Sequence, residues 1–370
     1  MGKYKLINNV LGWIVFAIAS TVYLMTMEPT ASFWDCGEFI SSAYKLEVGH
    51  PPGAPFFMLT ANLFTQLASD PSTVAKMVNT MSALFSGLTI LFLFWSITHL
   101  ARKIMVKDGE EASLGQMITI MGSGLVGALA YTFSDTFWFS AVEGEVYAYS
   151  SLFTASVFWL ILKWEAVADK PHADRWIVLI AYLMGLSIGV HLLNLLCIPA
   201  IVLVYYYKKF PNPTMKGTLA ALLVSFAIVA LMMYGVVQGL VEVCGYFELL
   251  FVNVLGMPYN SGVFAYVIIV AGVLIWSIWE TMRDEIHPTR MKIAFILSVV
   301  LIGIPFIGSG YVLAVILTAA LSLYLFKSKK VDIKTLNTIL VCLMVIVVGY
   351  SSYALTLIRA TADTPMNQNA

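Results

Sequence analysis

Trp34, Asp35 and Glu38 stand together in the stretch T-A-S-F-W-D-C-G-E-F-I-S-S-A-Y-K-L-E-V-G-H-P-P-G-A-P, with the two carboxylates three residues apart. On a helix that spacing puts both on one face. A carboxylate tuned by partial burial can take the proton from a reacting hydroxyl. The competing reading is a helix cap or a solvated loop. Gly37 between the two acids and the rigid His50-Pro51-Pro52-Gly53 turn after them favour chemistry. A second acidic group, Glu143 and Glu145, precedes Tyr147, with Asp135 and Trp138 in the same short segment. At helical spacing Glu143 and Glu145 point to different faces, so one at most faces a cavity. A first-turn Glu also pairs favourably with the helix dipole. His191 and Asn194 form a third polar group inside an apolar stretch. A membrane-embedded ionisable residue is a functional hypothesis by default; the alternative is a hydrogen bond between helices.

The elements that position these residues are membrane helices. Of 370 residues, 60% are apolar and 11% charged, against roughly 25% charged in a soluble protein. Mean hydropathy is +0.85. A bilayer core takes about 20 apolar residues as a helix. Eleven stretches qualify: 8–27, 73–100, 114–133, 144–164, 175–191, 192–207, 216–239, 262–281, 290–307, 310–326 and 335–356. Gly189, His191 and Asn194 divide the fifth from the sixth, and Pro305, Gly308 and Gly310 the ninth from the tenth. The first stretch has a basic start but no clean cleavage site follows, so it reads as an uncleaved anchor.

Lys and Arg set the orientation. With Lys3 and Lys5 in the cytoplasm, alternation puts all but three of the 21 basic residues inside; Lys45, Lys76 and Arg359 fall outside. The C-terminus then lies outside. The zero formal net charge divides into an acidic outer face and a basic inner one. The long outer loop 28–72 is too aromatic for disorder. Ser32 is placed to cap a short helix through Asp35, Glu38, Ile40 and Tyr44. A second helix, 54–67, is too short to span and is expected along the membrane surface. Short connections bring the Asp135 segment against the Asp35 loop. The scattered cysteines Cys36, Cys197, Cys244 and Cys342 carry no zinc spacing; a Cys36–Cys244 disulfide is conceivable in an oxidising compartment. Phosphate-loop, dinucleotide, metalloprotease and nucleophile-elbow motifs are all absent.

An Asp in the first outer loop of a polytopic protein resembles the type C (GT-C) membrane glycosyltransferases. The Trp34-to-Pro55 stretch more closely resembles the bacterial protein O-mannosyltransferase-like group, glycosyltransferase family 117, whose pattern there is Trp-Asp-x-Gly-Glu followed by His-Pro-Pro-Gly-x-Pro. A-V-E-G-E-V-Y-A-Y (141–149) and G-L-S-I-G-V-H-L-L-N-L-L (185–196) also fit. The tail 357–369 only loosely resembles the family's Arg-containing acidic segment, with Asn and Gln at most of the acidic positions. Family members often carry a soluble region beyond this point.

The resemblance implies an all-α, GT-C-like domain over 1–370 in a bacterial inner membrane, with its active site facing the periplasm and an outer tail from 357. It implies transfer of a sugar, mannose by family default, from a polyprenyl-phosphate carrier to an acceptor hydroxyl of a protein or glycan, with inversion. Nucleic acid is not an expected partner. Asp35 is then the base, and Glu38 orients it or shares the proton. Few outer cations remain to hold the leaving phosphate: Lys45, Arg359, and the imidazoles of His50 and His191. Trp34, Glu143, Glu145, Tyr147 and Asn194 are expected against the sugar or the acceptor. No metal ligands are assigned, although Asp35 and Glu38 with Glu143 or Glu145 could gather a divalent cation through oxygen. Two rival readings are a secondary transporter, whose site would lie at mid-bilayer, and an inactive lipid-binding scaffold of the same fold.

Overall fold

The computed structural model describes residues 2–107, 109–308, 311–328 and 331–368. Gly310 of the expected helix break, Lys329 and Lys330 of the inner basic set, and Asn369 of the tail lie outside the described residues. Among those described there are helices and a single isolated bridge, Val48 with Asn367, but no strand.

The helices are α1 (Gly2–Thr26), α2 (Cys36–Lys45), α3 (Pro55–Thr65), α4 (Val74–Met105), α5 (Leu114–Thr132), α6 (Asp135–Ala141), α7 (Val146–Val167), α8 (Arg175–Ile188), α9 (Ile198–Lys209), α10 (Met215–Ala230), α11 (Gly239–Leu249), α12 (Ser261–Met282), α13 (Pro288–Leu301), α14 (Tyr311–Lys327), α15 (Ile333–Tyr350) and α16 (Ala354–Ala360). Among the described residues eight helical stretches are long and apolar enough to cross a membrane, which makes this a polytopic helical membrane protein. The eleven expected spans therefore hold in part. Arg175–Ile188, Pro288–Leu301 and Tyr311–Lys327 have 14, 14 and 17 residues. The chain turns early after two of them, at Gly189 and at Gly303, where φ is +91°.

The described residues divide into two compact units, one within Met1–Cys197 plus Ile346–Ala370 and one within Ile198–Val345. In the second, the expected outer loop after residue 239 is instead helix. Met215 to Val254 is continuous, with π-helical turns at Leu231–Gln238 and Leu250–Val254. Gly256, at φ +65°, follows its end. Glu248 then accepts the Asn260 and Val263 N–H groups at the start of α12. In the same unit the wholly buried Glu280 is paired with Arg290 at 2.5 Å.

The first unit holds every candidate residue. α4 packs against α1, α5 and α7. Phe39, Ile40 and Ala43 of α2, Phe57, Met58 and Ala61 of α3, Val78 and Met81 of α4, and Tyr149 and Phe153 of α7 form one buried cluster. Two close approaches tie the end of the chain to it. A Cβ on Gly185 would stand 2.8 Å from Ile346 Cα, and one on Gly349 2.7 Å from the Gly185 carbonyl carbon, so only glycine lets these backbones meet.

Candidate active site

α2 begins at Cys36, with Asp35 in the N-cap position. An N-cap carboxylate ordinarily accepts the first free N–H groups of its helix. Asp35 accepts none with its side chain, so the capping reading does not describe it. Ser32 does not cap α2 either; its hydroxyl goes to Glu143. Trp34 sits at φ +62°, a backbone conformation that bulky residues rarely adopt, and is 91% exposed. α2 ends at Leu46, also left-handed, and Asn62 of α3 donates to the Ala43 and Tyr44 carbonyls at 2.8 and 3.2 Å.

The chain then returns to α2. Glu38 Oε1 accepts the His50 backbone N–H at 2.5 Å, and both Glu38 oxygens lie 3.1 Å from His50 Nδ1. An ionised carboxylate only accepts, so Nδ1 is the donor and Nε2 is the nitrogen left for a ligand. Ligand atoms of Asp35, Glu38 and His50 lie within 4.8 Å of one another. The oxygen-only set expected with Glu143 or Glu145 is not the group that gathers. A hard divalent ion prefers oxygen, and here one of the three donors is an imidazole nitrogen.

Beside this group lies a cavity of about 610 Å³, walled by Trp34, Asp35, Cys36, Glu143, Glu145 and Tyr147. Asp135, Thr136, Phe139, Ser140 and Phe33 complete it, so the Asp135 segment does meet the Asp35 loop. Both Glu143 and Glu145 face this cavity, contrary to expectation. The reason is that α7 starts only at Val146; Glu145 is extended at φ −136°, and helical spacing does not apply before it.

Glu143 takes hydrogen bonds from Ser32 and Cys36, yet burial raises its pKa, helped by the Glu28 charge. Burial also raises Glu145 to about 7; the Tyr147 and Val146 N–H groups act against the rise, and the charges of Glu143 and Asp35 add to it. Cys36 is pushed up to about 12, by burial first and then by the two glutamates, so it stays a thiol. None of the four cysteines is in a disulfide. Glu145 Oε2 is buried without a hydrogen-bond partner.

The remaining expected residues are placed as follows. Tyr147 is in ring contact with His191 at 5.4 Å. His191 Nδ1 accepts the Leu193 N–H, which leaves the ring proton on Nε2. Asn194 is wholly buried and donates to Ser187 and Met184, so it supports the chain and does not line the cavity. Lys45 is exposed in the last turn of α2. Arg359 does not line the cavity: its Nε donates to the Leu46 carbonyl at 2.5 Å and an Nη to that of Lys45 at 3.3 Å. Beyond it, Val48 donates its backbone N–H to the Met366 carbonyl and Gln368 donates to that of Val48, so the tail docks on the loop.

Phe33, Thr136, Phe139 and Ser140 carry no local pattern that marks them as cavity residues. Asn79 had a signal, an amide inside an apolar helix. It is wholly buried and donates to the Glu28 and Thr30 carbonyls, which fixes the entry to the loop.

Comparison with known proteins starts at this same loop. A family model described as the Protein O-mannosyl-transferase TMEM260 N-terminal domain matches residues 35–214. A mouse (Mus musculus) protein O-mannosyl-transferase TMEM260 is 28% identical over 174 residues, 47% of this chain and 22% of that protein. A Dictyostelium discoideum counterpart is 25% identical over 187 residues, 49% of this chain and 21% of that protein. The matches thus span about a fifth of the length of these curated relatives. No solved structure matches the chain.

Proposed function

We propose that the chain is an integral-membrane glycosyltransferase that moves a sugar, mannose by the name of its relatives, from a polyprenyl-phosphate-linked donor to a protein hydroxyl, with Asp35 as general base. The observation that carries this reading is the state of Asp35. It is exposed at the cavity wall, and its carboxylate is not used by the helix it begins. The family match begins at this residue.

In the proposed reaction the Asp35 carboxylate takes the acceptor O–H proton as that oxygen attacks the anomeric carbon. The bond from the anomeric carbon to the phosphate oxygen breaks, and the phosphate leaves with the electron pair. Attack opposite the leaving group inverts the centre. The oxocarbenium-like transition state gains from nearby carboxylate charge. His50, held through Nδ1 by Glu38, offers Nε2 to the leaving phosphate, and does so as a donor only when the ring is doubly protonated. The Lys and Arg asymmetry supports placing this site on the non-cytoplasmic face.

The test is transfer from a synthetic polyprenyl-phosphate sugar to acceptor protein by the purified chain and its Asp35→Asn variant. Undiminished transfer by the variant overturns the assignment.

A further inference from the structure

Among the described residues the cavity wall carries four carboxylates, Asp35, Asp135, Glu143 and Glu145, and no basic side chain. Once Glu143 and Glu145, which burial holds protonated to higher pH than usual, are ionised, such a wall repels an anion, so it is no place for the donor phosphate. Charge clustered on the walls of a cleft concentrates the opposite charge within it. A second observation points to a ligand. Glu145 is 93% buried by its 7% exposure, and its Oε2 has no hydrogen-bond partner. A buried carboxylate oxygen left unpaired is costly until a donor reaches it. Phe33 and Trp34, 87% and 91% exposed, add aromatic faces of the kind that hold a Lys or Arg cation. About 610 Å³ is ample for such a side chain together with the residue beside it.

We propose that this cavity is the acceptor subsite and that it selects protein segments in which a Lys or Arg lies next to the hydroxyl to be modified, with Glu145 receiving the cation. The inference rests on the reading above that a protein hydroxyl is the acceptor. It adds the chemistry by which one hydroxyl is chosen over another. Acidic neighbours are disfavoured by the same wall.

The experiment measures binding apart from catalysis. Fluorescent Ser/Thr peptides flanked by Lys, norleucine or Glu are titrated by anisotropy onto the full chain in phosphatidylcholine nanodiscs, at low salt, without donor, and at a pH of about 8, above the value of about 7 to which burial raises Glu145. The Lys peptide binds about tenfold tighter than the Glu peptide. Glu145→Gln shrinks that gap to about twofold, and Glu143→Gln, a second near-isosteric variant, narrows it too. Asp363→Asn, an exposed carboxylate outside the cavity, leaves it intact. Equal binding of the three peptides overturns the proposal, as does a preference that survives both glutamate changes. Transfer to the same peptides separates this inference from the reading beneath it. Charge-selective binding without transfer to any peptide sinks the catalytic reading alone, and transfer without charge preference sinks this one alone.

Discussion

Glu38 holds His50 twice, accepting its backbone N–H at 2.5 Å and its ring Nδ1 at 3.1 Å. Both contacts depend on Gly49, where an added Cβ would stand 2.7 Å from Glu38 Oε1. Gly49→Ala must displace the carboxylate, and Glu38→Gln removes its charge and leaves one acceptor oxygen in place of two. Both variants are expected to raise the donor KM roughly tenfold or more, the size of one charge-assisted hydrogen bond. Steady-state kinetics against donor concentration checks this. An unchanged donor KM in both variants places His50 away from the phosphate.

Asp35 offers a cleaner separation of roles. A capping Asp replaced by Ala costs about 1 kcal/mol of stability, whereas a general base contributes roughly 100- to 10,000-fold in rate. Because the Asp35 side chain caps nothing, Asp35→Ala is expected to leave the thermal midpoint unchanged and to lower kcat by that factor. A lowered midpoint with transfer retained would restore the capping role.

The contrast between these carboxylates shows what was readable before the structure. Asp35, Glu38 and His50 lie within one loop, and their types and spacing predict both the short helix and the turn that closes on it. The second helix is found at Pro55–Thr65, with Phe57, Met58 and Ala61 buried and Leu63 exposed. Helical spacing assigns Glu143 and Glu145 to different faces, but α7 begins only at Val146, and that small displacement decides whether the spacing applies. Ser32 reads as a cap by its position; its actual partner, Glu143, is distant in sequence and is set by packing alone. The pairing of the tail with Val48 has no local signature either.

Glu145 gives stability a pH dependence whose sign follows from its shift. Its usual pKa of 4.5 rises to about 7 in the folded chain. Between these values the unfolded chain has lost the proton and the folded chain keeps it, so stability falls as pH rises from about 4.5 to 7 and then levels off. Glu143, shifted the same way, adds to the slope. Thermal midpoints measured across that window are expected to decline for the parent chain. Glu145→Gln is expected to flatten most of the decline. A parent midpoint that rises with pH across the window would contradict burial as the dominant influence on both glutamates.

Arg359 separates a strap from a phosphate ligand. Its guanidinium serves two carbonyls at the C-terminal end of α2, where a helix leaves its acceptors unmatched. A hydrogen bond from a charged donor contributes roughly 1.5–3 kcal/mol; a Gln amide can keep one of the two as a neutral donor, so Arg359→Gln is expected to cost about 2 kcal/mol or more of stability. The same variant should expose the bridge between Val48 and Asn367 to faster amide exchange. Hydrogen exchange at Val48 and Gln368, whose N–H groups form that pairing, reads the strap directly, and donor KM reads the alternative. Unchanged exchange with a raised donor KM would return Arg359 to the phosphate. Faster exchange with lowered stability identifies it as the residue that fastens the tail to the loop and, through Leu46, to the segment that ends at His50.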